Sequence, residues 1–144
     1  MLKQQEADAL ITMDKRFVNA GIIDFPSVGD KAVFDLVSLD EREKFLADVN
    51  RASIRLTQCT YQERYQVVEI LVRLDVDGRP HENPDGEVLP CPHLHVYREG
   101  FADKWAKPLP AARFRDTSDL VQTFSDFLTL CNVQKIPEIQ RSLP

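Results

Sequence analysis

The sequence predicts an α+β fold in which an N-terminal helix and a C-terminal helix flank an antiparallel meander of four to five strands. Apolar residues recur at helical spacing near both ends of the chain, and they alternate with polar residues in the segments between. No helical segment long enough for a parallel crossover separates these alternating segments, so neighbouring strands are expected to pair antiparallel. All 144 residues are expected to form one domain.

The two predicted helices cover residues 4–19 and the stretch that follows Asp116, Thr117 and Ser118. Side chains of these three types cap helices because their oxygens accept hydrogen bonds from the first backbone N–H groups. Each helix has one apolar stripe to bury against the sheet. The stripes consist of Ala7, Leu10, Ile11, Phe17 and Val18 in the first helix, and of Leu120, Phe124, Phe127, Leu128 and Cys131 in the second.

Three strands are predicted before the middle of the chain. Lys31–Leu39 alternates and is rich in β-branched and aromatic residues, which is typical of a strand. Glu43–Asn50 fits both a strand and a helix, and the strand is favoured because Phe45 and its neighbours alternate. Ser53–Cys59 alternates again, and a turn is predicted around Thr60–Glu63.

The clearest strand is Tyr65–Val76, which is predicted to pair with Cys91–Tyr97. Both segments alternate between apolar and polar residues, so one face of each belongs to the core and the other does not. The core face is expected to carry Val68, Ile70, Val72, Leu74, Val76, Pro92, Leu94 and Val96. The opposite face is expected to carry Glu69, Arg73, Asp75, Cys91, His93, His95 and Tyr97.

A connection of unusual length, Asp77–Pro90, joins these two strands. It contains Asn83-Pro84-Asp85-Gly86, which is a strong turn sequence. Folded back over the polar face, it would bring His81, Asn83 and Asp85 to the wall of a pocket. All three histidines of the chain would then lie together, and this is where the sequence predicts the functional site.

Composition narrows the class of protein. The chain has 18 basic and 23 acidic side chains, a net charge of −5, whereas dedicated nucleic-acid binders usually show a clear basic excess. Three widely spaced cysteines do not indicate a disulfide framework and favour a reducing, cytoplasmic compartment. The charged N-terminus does not resemble a signal peptide, and no apolar run is long enough to cross a bilayer.

Metal-free cleavage of RNA, with no cofactor, is the function that the polar face most directly predicts. That reaction needs a base for the 2′-hydroxyl, an acid for the leaving oxygen and a cation for the phosphorane. His93 and His95 would serve as acid and base because histidine titrates near neutral pH. Arg73 would clamp the phosphate, Asp75 would orient a histidine, and Tyr97 completes the catalytic candidates.

Two other interpretations stay open. His93-x-His95 places two imidazoles on one side of a strand, and His81 or Cys91 could complete a site for zinc or another transition metal. Alternatively the polar residues are structural: His81, Asn83 and Asp85 would fix the loop by hydrogen bonds to the backbone, and the strand histidines would pack against it.

The residues Arg73-x-Asp75, Pro80-His81-x-Asn83-Pro84-Asp85-Gly86 and Pro92-His93-x-His95-x-Tyr97, followed by Trp105-Ala106-x-Pro108-Leu109, resemble an uncharacterised family of small bacterial and phage-associated proteins. More distantly they resemble TumE-type toxins, in which the histidines come as adjacent pairs. That resemblance implies an RNase-toxin-like fold, an RNA substrate and a protein antitoxin as partner. The alternative is a non-catalytic phage or mobile-element inhibitor that binds a host or defence protein through its acidic N-terminal half.

Overall fold

A computed structural model of the protein describes residues 1–19 and 21–141. The helices are α1 (Gln4–Thr12) and α2 (Leu120–Leu130), and the strands are β1 (Lys15–Phe17), β2 (Ile23–Asp24), β3 (Lys31–Ser38), β4 (Lys44–Asn50), β5 (Thr60–Tyr65), β6 (Glu69–Asp75), β7 (His81–Glu82), β8 (Val88–Leu89), β9 (His93–Val96), β10 (Ala106–Pro108) and β11 (Ile139–Gln140). Seven of the strands form one sheet in the order β1-β3-β4-β5-β6-β9-β10. Every neighbouring pair in it is antiparallel, which confirms the predicted α+β class.

The core lies between this sheet and the two helices. Val49, Tyr61 and Leu74 stand opposite one another on β4, β5 and β6, and all three are buried on the helical side. Tyr61 stacks on two rings of α2: its ring centroid lies 5.7 Å from that of Phe124 and 6.0 Å from that of Phe127. The alternation of strand residues therefore sends apolar side chains to the helices and leaves the other face of the sheet polar.

The sheet has seven strands rather than four or five because of its edges. β1 and β10 have three residues each and are the outermost strands. Three residues are too few to show a period of two, so the sequence pattern contains no evidence for them. Two smaller pairs complete the structure: β7 with β8, and β11 parallel to β2.

The first helix is shorter than predicted. It ends at Thr12 instead of residue 19, and Lys15–Phe17 pairs with Leu36–Ser38 of β3. Phe17 is buried as predicted, but it reaches the core from a strand. Its helical spacing from Leu10 was misleading, because tertiary pairing overrides local periodicity over so short a segment.

The strand predicted at Ser53–Cys59 is wrong, and so is the turn predicted at Thr60–Glu63, where β5 begins. Tyr61 and Glu63 both face the core, and a buried glutamate interrupts the apolar pattern that identifies a strand. The clear strand also starts later than predicted, at Glu69. Val68 precedes it in a turn and is 76% exposed rather than buried.

The C-terminal helix agrees with the prediction except at its cap. Asp119 is the N-cap, and its side chain accepts a hydrogen bond from the backbone N–H of Gln122. Asp116 instead accepts from the backbone of Ser118 in the preceding turn. In residues 1–19 and 21–141, neither helix has the length and apolar character that crossing a membrane requires.

Candidate functional site

The predicted pairing of the two central strands is confirmed. β6 and β9 are antiparallel, with Arg73 opposite His95 and Asp75 opposite His93. These four residues lie on the face of the sheet that points away from the helices. The histidines and Asp75 are buried on that face, whereas Arg73 is about one-third exposed.

Asp75 is the centre of this cluster, and its two carboxylate oxygens have different partners. Oδ2 lies 3.0 Å from His93 Nε2 and 3.1 Å from His95 Nε2. Oδ1 accepts hydrogen bonds from Thr60 Oγ1 at 2.8 Å and from Arg73 Nε at 3.2 Å. Burial alone would raise the pKa of Asp75, but the hydrogen bonds from His95, Thr60 and Arg73, with the charge of Arg73, hold it well below its ordinary value.

The other nitrogen of each strand histidine bonds to a backbone carbonyl. His93 Nδ1 donates to the carbonyl of Pro90 at 3.2 Å, and His95 Nδ1 donates to the carbonyl of Asp103 at 2.7 Å. A carbonyl oxygen only accepts, so the hydrogen must lie on Nδ1 in both rings. In a neutral imidazole this leaves Nε2 with a lone pair, and both Nε2 atoms point at the same carboxylate oxygen.

Residues of the long connection cover the cluster. His81 Nε2 donates to the carbonyl of Lys104 at 2.7 Å, and its ring stands edge-on to the His95 ring with centroids 4.6 Å apart. Asn83 is buried and makes two hydrogen bonds with Ala106. Its Nδ2 donates to the carbonyl of Ala106 at 2.9 Å, and its Oδ1 accepts from the N–H of Ala106 at 2.8 Å. Residues 103–106, which lead into β10 beside β9, are therefore fixed next to the histidines by the hydrogen bonds to backbone that the structural interpretation predicts for His81 and Asn83.

Three buried side chains lie close enough together to hold a metal ion. Ligand atoms of Asp75, His93 and His95 all lie within 4.8 Å of one another. The sequence suggested His81 or Cys91 as the further ligand, but their contacts direct them elsewhere. His81 Nε2 bonds to a carbonyl, and Cys91 Sγ lies 3.6 Å from Nδ1 of His93 rather than from Nε2. The third place in the group is taken by Asp75.

Comparison with known proteins identifies the family but not an activity. The sequence profile of a family of unknown function, DUF6978, matches residues 2–133. The chain belongs to this family. No curated protein and no solved structure shows significant similarity to it. Membership in DUF6978 agrees with the prediction of an uncharacterised family, whereas the resemblance to TumE-type toxins stays a prediction.

Two of the predicted site residues, Asp85 and Tyr97, lie outside the cluster in this DUF6978 protein, and Cys91 borders it, with Sγ 3.6 Å from Nδ1 of His93. Asp85 is exposed at the turn and accepts from the backbone of Glu87. Burial raises the pKa of the Cys91 thiol, which disfavours the thiolate that binds metals. Tyr97 is buried in the core, and its hydroxyl donates to the carbonyl of Leu2 next to α1.

Sequence analysis missed two contributors to the site. Thr60 stands opposite Asp75 in the sheet, but it falls in the segment where a turn was predicted. Asp103 provides a carbonyl to His95, and its carboxylate lies 3.5 Å from Arg73. The register of β5 against β6 would have revealed Thr60. A backbone acceptor such as the Asp103 carbonyl has no sequence pattern at all.

Proposed function

We propose that this protein binds a transition-metal ion between Asp75, His93 and His95. The observation that carries the proposal is the orientation of the two imidazoles. Each ring donates from Nδ1 to a carbonyl, so in the neutral form of both rings two Nε2 lone pairs and a carboxylate oxygen converge. The hydrogen bond from His95 to Asp75 belongs to the ring that is protonated on both nitrogens. Three acceptors meeting in a buried site repel one another unless positive charge lies between them. That charge is supplied either by protons on the Nε2 atoms or by a cation.

Two of the three separations between ligand atoms can be compared directly with those of a metal site. In a tetrahedral zinc site with bonds of about 2.0–2.1 Å, neighbouring ligand atoms are separated by about 3.3 Å. The oxygen-to-nitrogen separations here, 3.0 and 3.1 Å, are within a few tenths of an ångström of that value, and all three ligand atoms lie within 4.8 Å of one another. One divalent ion also replaces two imidazolium protons without changing the net charge of the site.

The surroundings fit a metal site as well. Metal-binding histidines commonly donate their second N–H to a backbone carbonyl, which holds the ring in the correct orientation. Imidazole and carboxylate ligands suit zinc and its neighbours in the first transition row. Asp75, His93 and His95 are 8%, 1% and 2% exposed, so the ion would be closed off from solvent. It would join β6 to β9 and, through His95, to the loop at Asp103, which is the role of a structural metal.

Metal content tests this proposal directly. The protein is purified without a histidine tag and analysed for bound metals, and we expect about one equivalent of zinc or another transition metal. His95→Ala removes a ligand and should abolish binding. His81→Ala is the matched control, because it removes a neighbouring imidazole whose Nε2 is already bonded to a carbonyl.

Less than about a tenth of an equivalent in the wild type, also after incubation with zinc, would reject a tight site. Protons on Nε2 would then be the charge that holds the cluster together. Equal loss of metal in His95→Ala and His81→Ala would mean that packing of His81 against the cluster, rather than the three proposed ligands, decides metal binding. Circular dichroism of each variant separates loss of a ligand from loss of the fold.

A second candidate function is the RNA cleavage that the sequence predicts. The observation in its favour is Arg73, whose partly exposed guanidinium stands opposite His95 and is fixed by Asp75 Oδ1. His93 and His95 would act as base and acid, which requires the His81 ring and the loop at Asp103 to move away from the buried histidines. The double variant His93→Ala/His95→Ala should fold but lose cleavage of RNA or inhibition of growth. Absence of both activities in the wild type, expressed without its partner, would exclude this function.

The cellular setting is also a proposal. The three cysteines are free thiols, which supports the cytoplasm as the compartment. We propose a toxin of a toxin–antitoxin system bound by a protein antitoxin. The alternative is a phage or mobile-element inhibitor, favoured by the acidic residues 1–50, which carry 10 acidic and 6 basic side chains. Pull-down from the native host separates the two, since capture of a small antitoxin supports the first and a stoichiometric complex with a larger enzyme supports the second.

A further inference from the structure

An apolar groove of about 340 Å³ lies on the face of the sheet that points away from the helices. Val37 of β3 and Leu46 of β4 line it, together with Val18 after β1 and Val67 in the turn after β5. Val18 and Val67 are each more than half exposed. The groove therefore keeps aliphatic side chains in contact with water, on a part of the sheet that does not include the proposed metal ligands.

The apolar surface continues beyond this groove. A second groove, of about 360 Å³, shares Asp35 with the first and is lined by Ile22 and Val33, which are also more than half exposed. Single exposed aliphatic residues are ordinary on a monomer, whereas a contiguous apolar surface marks a site of interaction. The exposed residues of the two grooves together form such a surface.

Backbone strain at Val67 points to the same place. Gln66 and Val67 have φ of 50° and 74°, and a β-branched residue rarely adopts the left-handed region. Strain of this kind is kept where function requires the conformation. Because Val67 is mostly exposed, contacts within the chain do little to offset the strain. A contact with another molecule would offset it by burying the valine.

The charges of the first groove indicate which molecule fits. Its two charged residues are Asp35 and Lys44, and neither has an ion-pair partner in residues 1–19 and 21–141. Asp35 stands opposite Leu46, and Lys44 stands opposite Val37, so the two charges lie diagonally across the apolar floor. A second copy of the chain, related by a two-fold axis, would match each charge with its opposite. A partner with an excess of one charge would leave one of them unmatched.

We propose that this face forms a two-fold symmetric dimer of the protein. The exposed valines of the two copies would meet at its centre, and Asp35 of each copy would pair with Lys44 of the other. The shared apolar surface is small for a protein interface, so the dimer should be transient, with a Kd of roughly 10–100 μM. The inference goes beyond the proposed metal site and does not depend on it.

Analytical ultracentrifugation of the untagged protein tests the dimer between about 1 μM and 1 mM. EDTA is present, so that no metal ion joins two copies. Wild-type protein should show a reversible equilibrium between monomer and dimer. Asp35→Lys and Lys44→Asp each replace two attractive pairs by two repulsive ones, and each should raise the Kd by roughly tenfold. The double variant Asp35→Lys/Lys44→Asp exchanges the two charges and should recover the wild-type Kd.

Glu87→Lys is the matched control for Asp35→Lys, because it changes the net charge equally from an exposed position before β8. It should leave the Kd unchanged. Val67→Gly removes an apolar contact of the dimer and relieves backbone strain in the monomer. It should therefore weaken the dimer several-fold without a loss of folding stability, so unfolding could not explain the weaker association.

The inference is overturned if the wild-type protein stays monomeric at about 1 mM. It is also overturned if Glu87→Lys weakens the dimer as much as Asp35→Lys, because net charge would then explain the effect. Failure of the double variant to recover affinity would overturn the pairing of Asp35 with Lys44. Circular dichroism establishes that each variant is folded before its Kd is compared.

Discussion

Lys15 has a buried ammonium group that joins both helices to the sheet. Its Nζ donates to the carbonyl of Ile11 in the last turn of α1, at 3.0 Å, and to the carbonyl of Cys131 at the end of α2, at 2.9 Å. Glu63 Oε2 of β5 lies 3.2 Å away, and the ring of Phe45 lies 4.8 Å from the charge. Helix C-termini carry partial negative charge, so one cation stabilises the ends of two helices at once.

Replacing Lys15 tests this role. Lys15→Met keeps the apolar stem but leaves the Glu63 carboxylate buried without its partner, and we expect the free energy of unfolding to fall by about 3–5 kcal/mol. Lys135→Met, at an exposed position, should change it by less than about 0.5 kcal/mol. Urea unfolding of both variants measures the difference. A loss below about 1 kcal/mol for Lys15→Met would show that the ion pair adds nothing to stability.

Glu63 should make the stability of the protein depend on pH. Burial raises the pKa of Glu63 to about 7 from an ordinary value of 4.5, although the charge of Lys15 opposes the shift. The folded protein then holds this proton more tightly than the unfolded chain does. The free energy of unfolding should therefore fall as pH rises from about 4.5 to about 7, and this contribution should level off above that range. Glu63→Gln should lack the fall, which unfolding of both proteins across this pH range would reveal.

At the scale of elements, the turn between β5 and β6 is strained. Gln66 and Val67 have φ of 50° and 74°, in the left-handed region that β-branched side chains rarely adopt. Val67 is 60% exposed, so its side chain contributes little burial in return. The contrast is the Asn83-Pro84-Asp85-Gly86 turn, where Gly86 takes a φ of 92° without a steric penalty.

Val67→Gly should remove the strain and raise the free energy of unfolding by about 1 kcal/mol. Gly86→Ala is the opposite change, because it places a side chain on a residue with left-handed backbone angles. It should lower the free energy of unfolding by about 1 kcal/mol. Thermal and urea unfolding of the pair would measure both signs. A destabilised Val67→Gly variant would mean that packing of the valine outweighs its backbone strain.

The connection that contains β7 and β8 should be held mainly by Asn83. Asn83→Ala removes both hydrogen bonds to Ala106 and leaves the buried N–H of Ala106 without a partner. We therefore expect the free energy of unfolding to fall by about 2–3 kcal/mol. Faster amide hydrogen exchange should be confined to β7, β8 and residues 103–106. Asp85→Ala, in the exposed turn of the same hairpin, should leave exchange in 103–106 unchanged. Equal exchange in the two variants would contradict the role given to Asn83.

At the scale of the molecule, the proposed metal connects segments that are far apart in the chain. Its ligands lie on β6 and β9, and His95 donates a hydrogen bond to the carbonyl of Asp103, in the loop before β10. Zinc at a thousand-fold excess over its Kd should stabilise the metal-free protein by about 4 kcal/mol, which corresponds to a rise in Tm of roughly 10 °C. Thermal unfolding with and without zinc should show this rise in wild type and in His81→Ala, but not in His95→Ala. An unchanged wild-type Tm would argue against the site.

Much of the site could be predicted because it depends on strand parity. Val72 and Leu74 alternate with Arg73 and Asp75, and the same alternation in β9 selects the face for His93 and His95. Burial of one face excludes a register slip by one residue, since a slip would send every apolar side chain to solvent. The same argument failed for Tyr97, which follows the last residue of β9 and turns into the core.

The sequence by itself determined the α+β class, the antiparallel pairing of β6 with β9 and the gathering of Arg73, Asp75, His93 and His95 on one face. All of these follow from local periodicity and the burial of apolar side chains. Tertiary structure alone decided the edge strands, the buried pair of Lys15 with Glu63 and the carbonyls that orient the histidines. Those features depend on contacts between distant segments, many of them to backbone atoms that every residue possesses, so no pattern of side chains could reveal them.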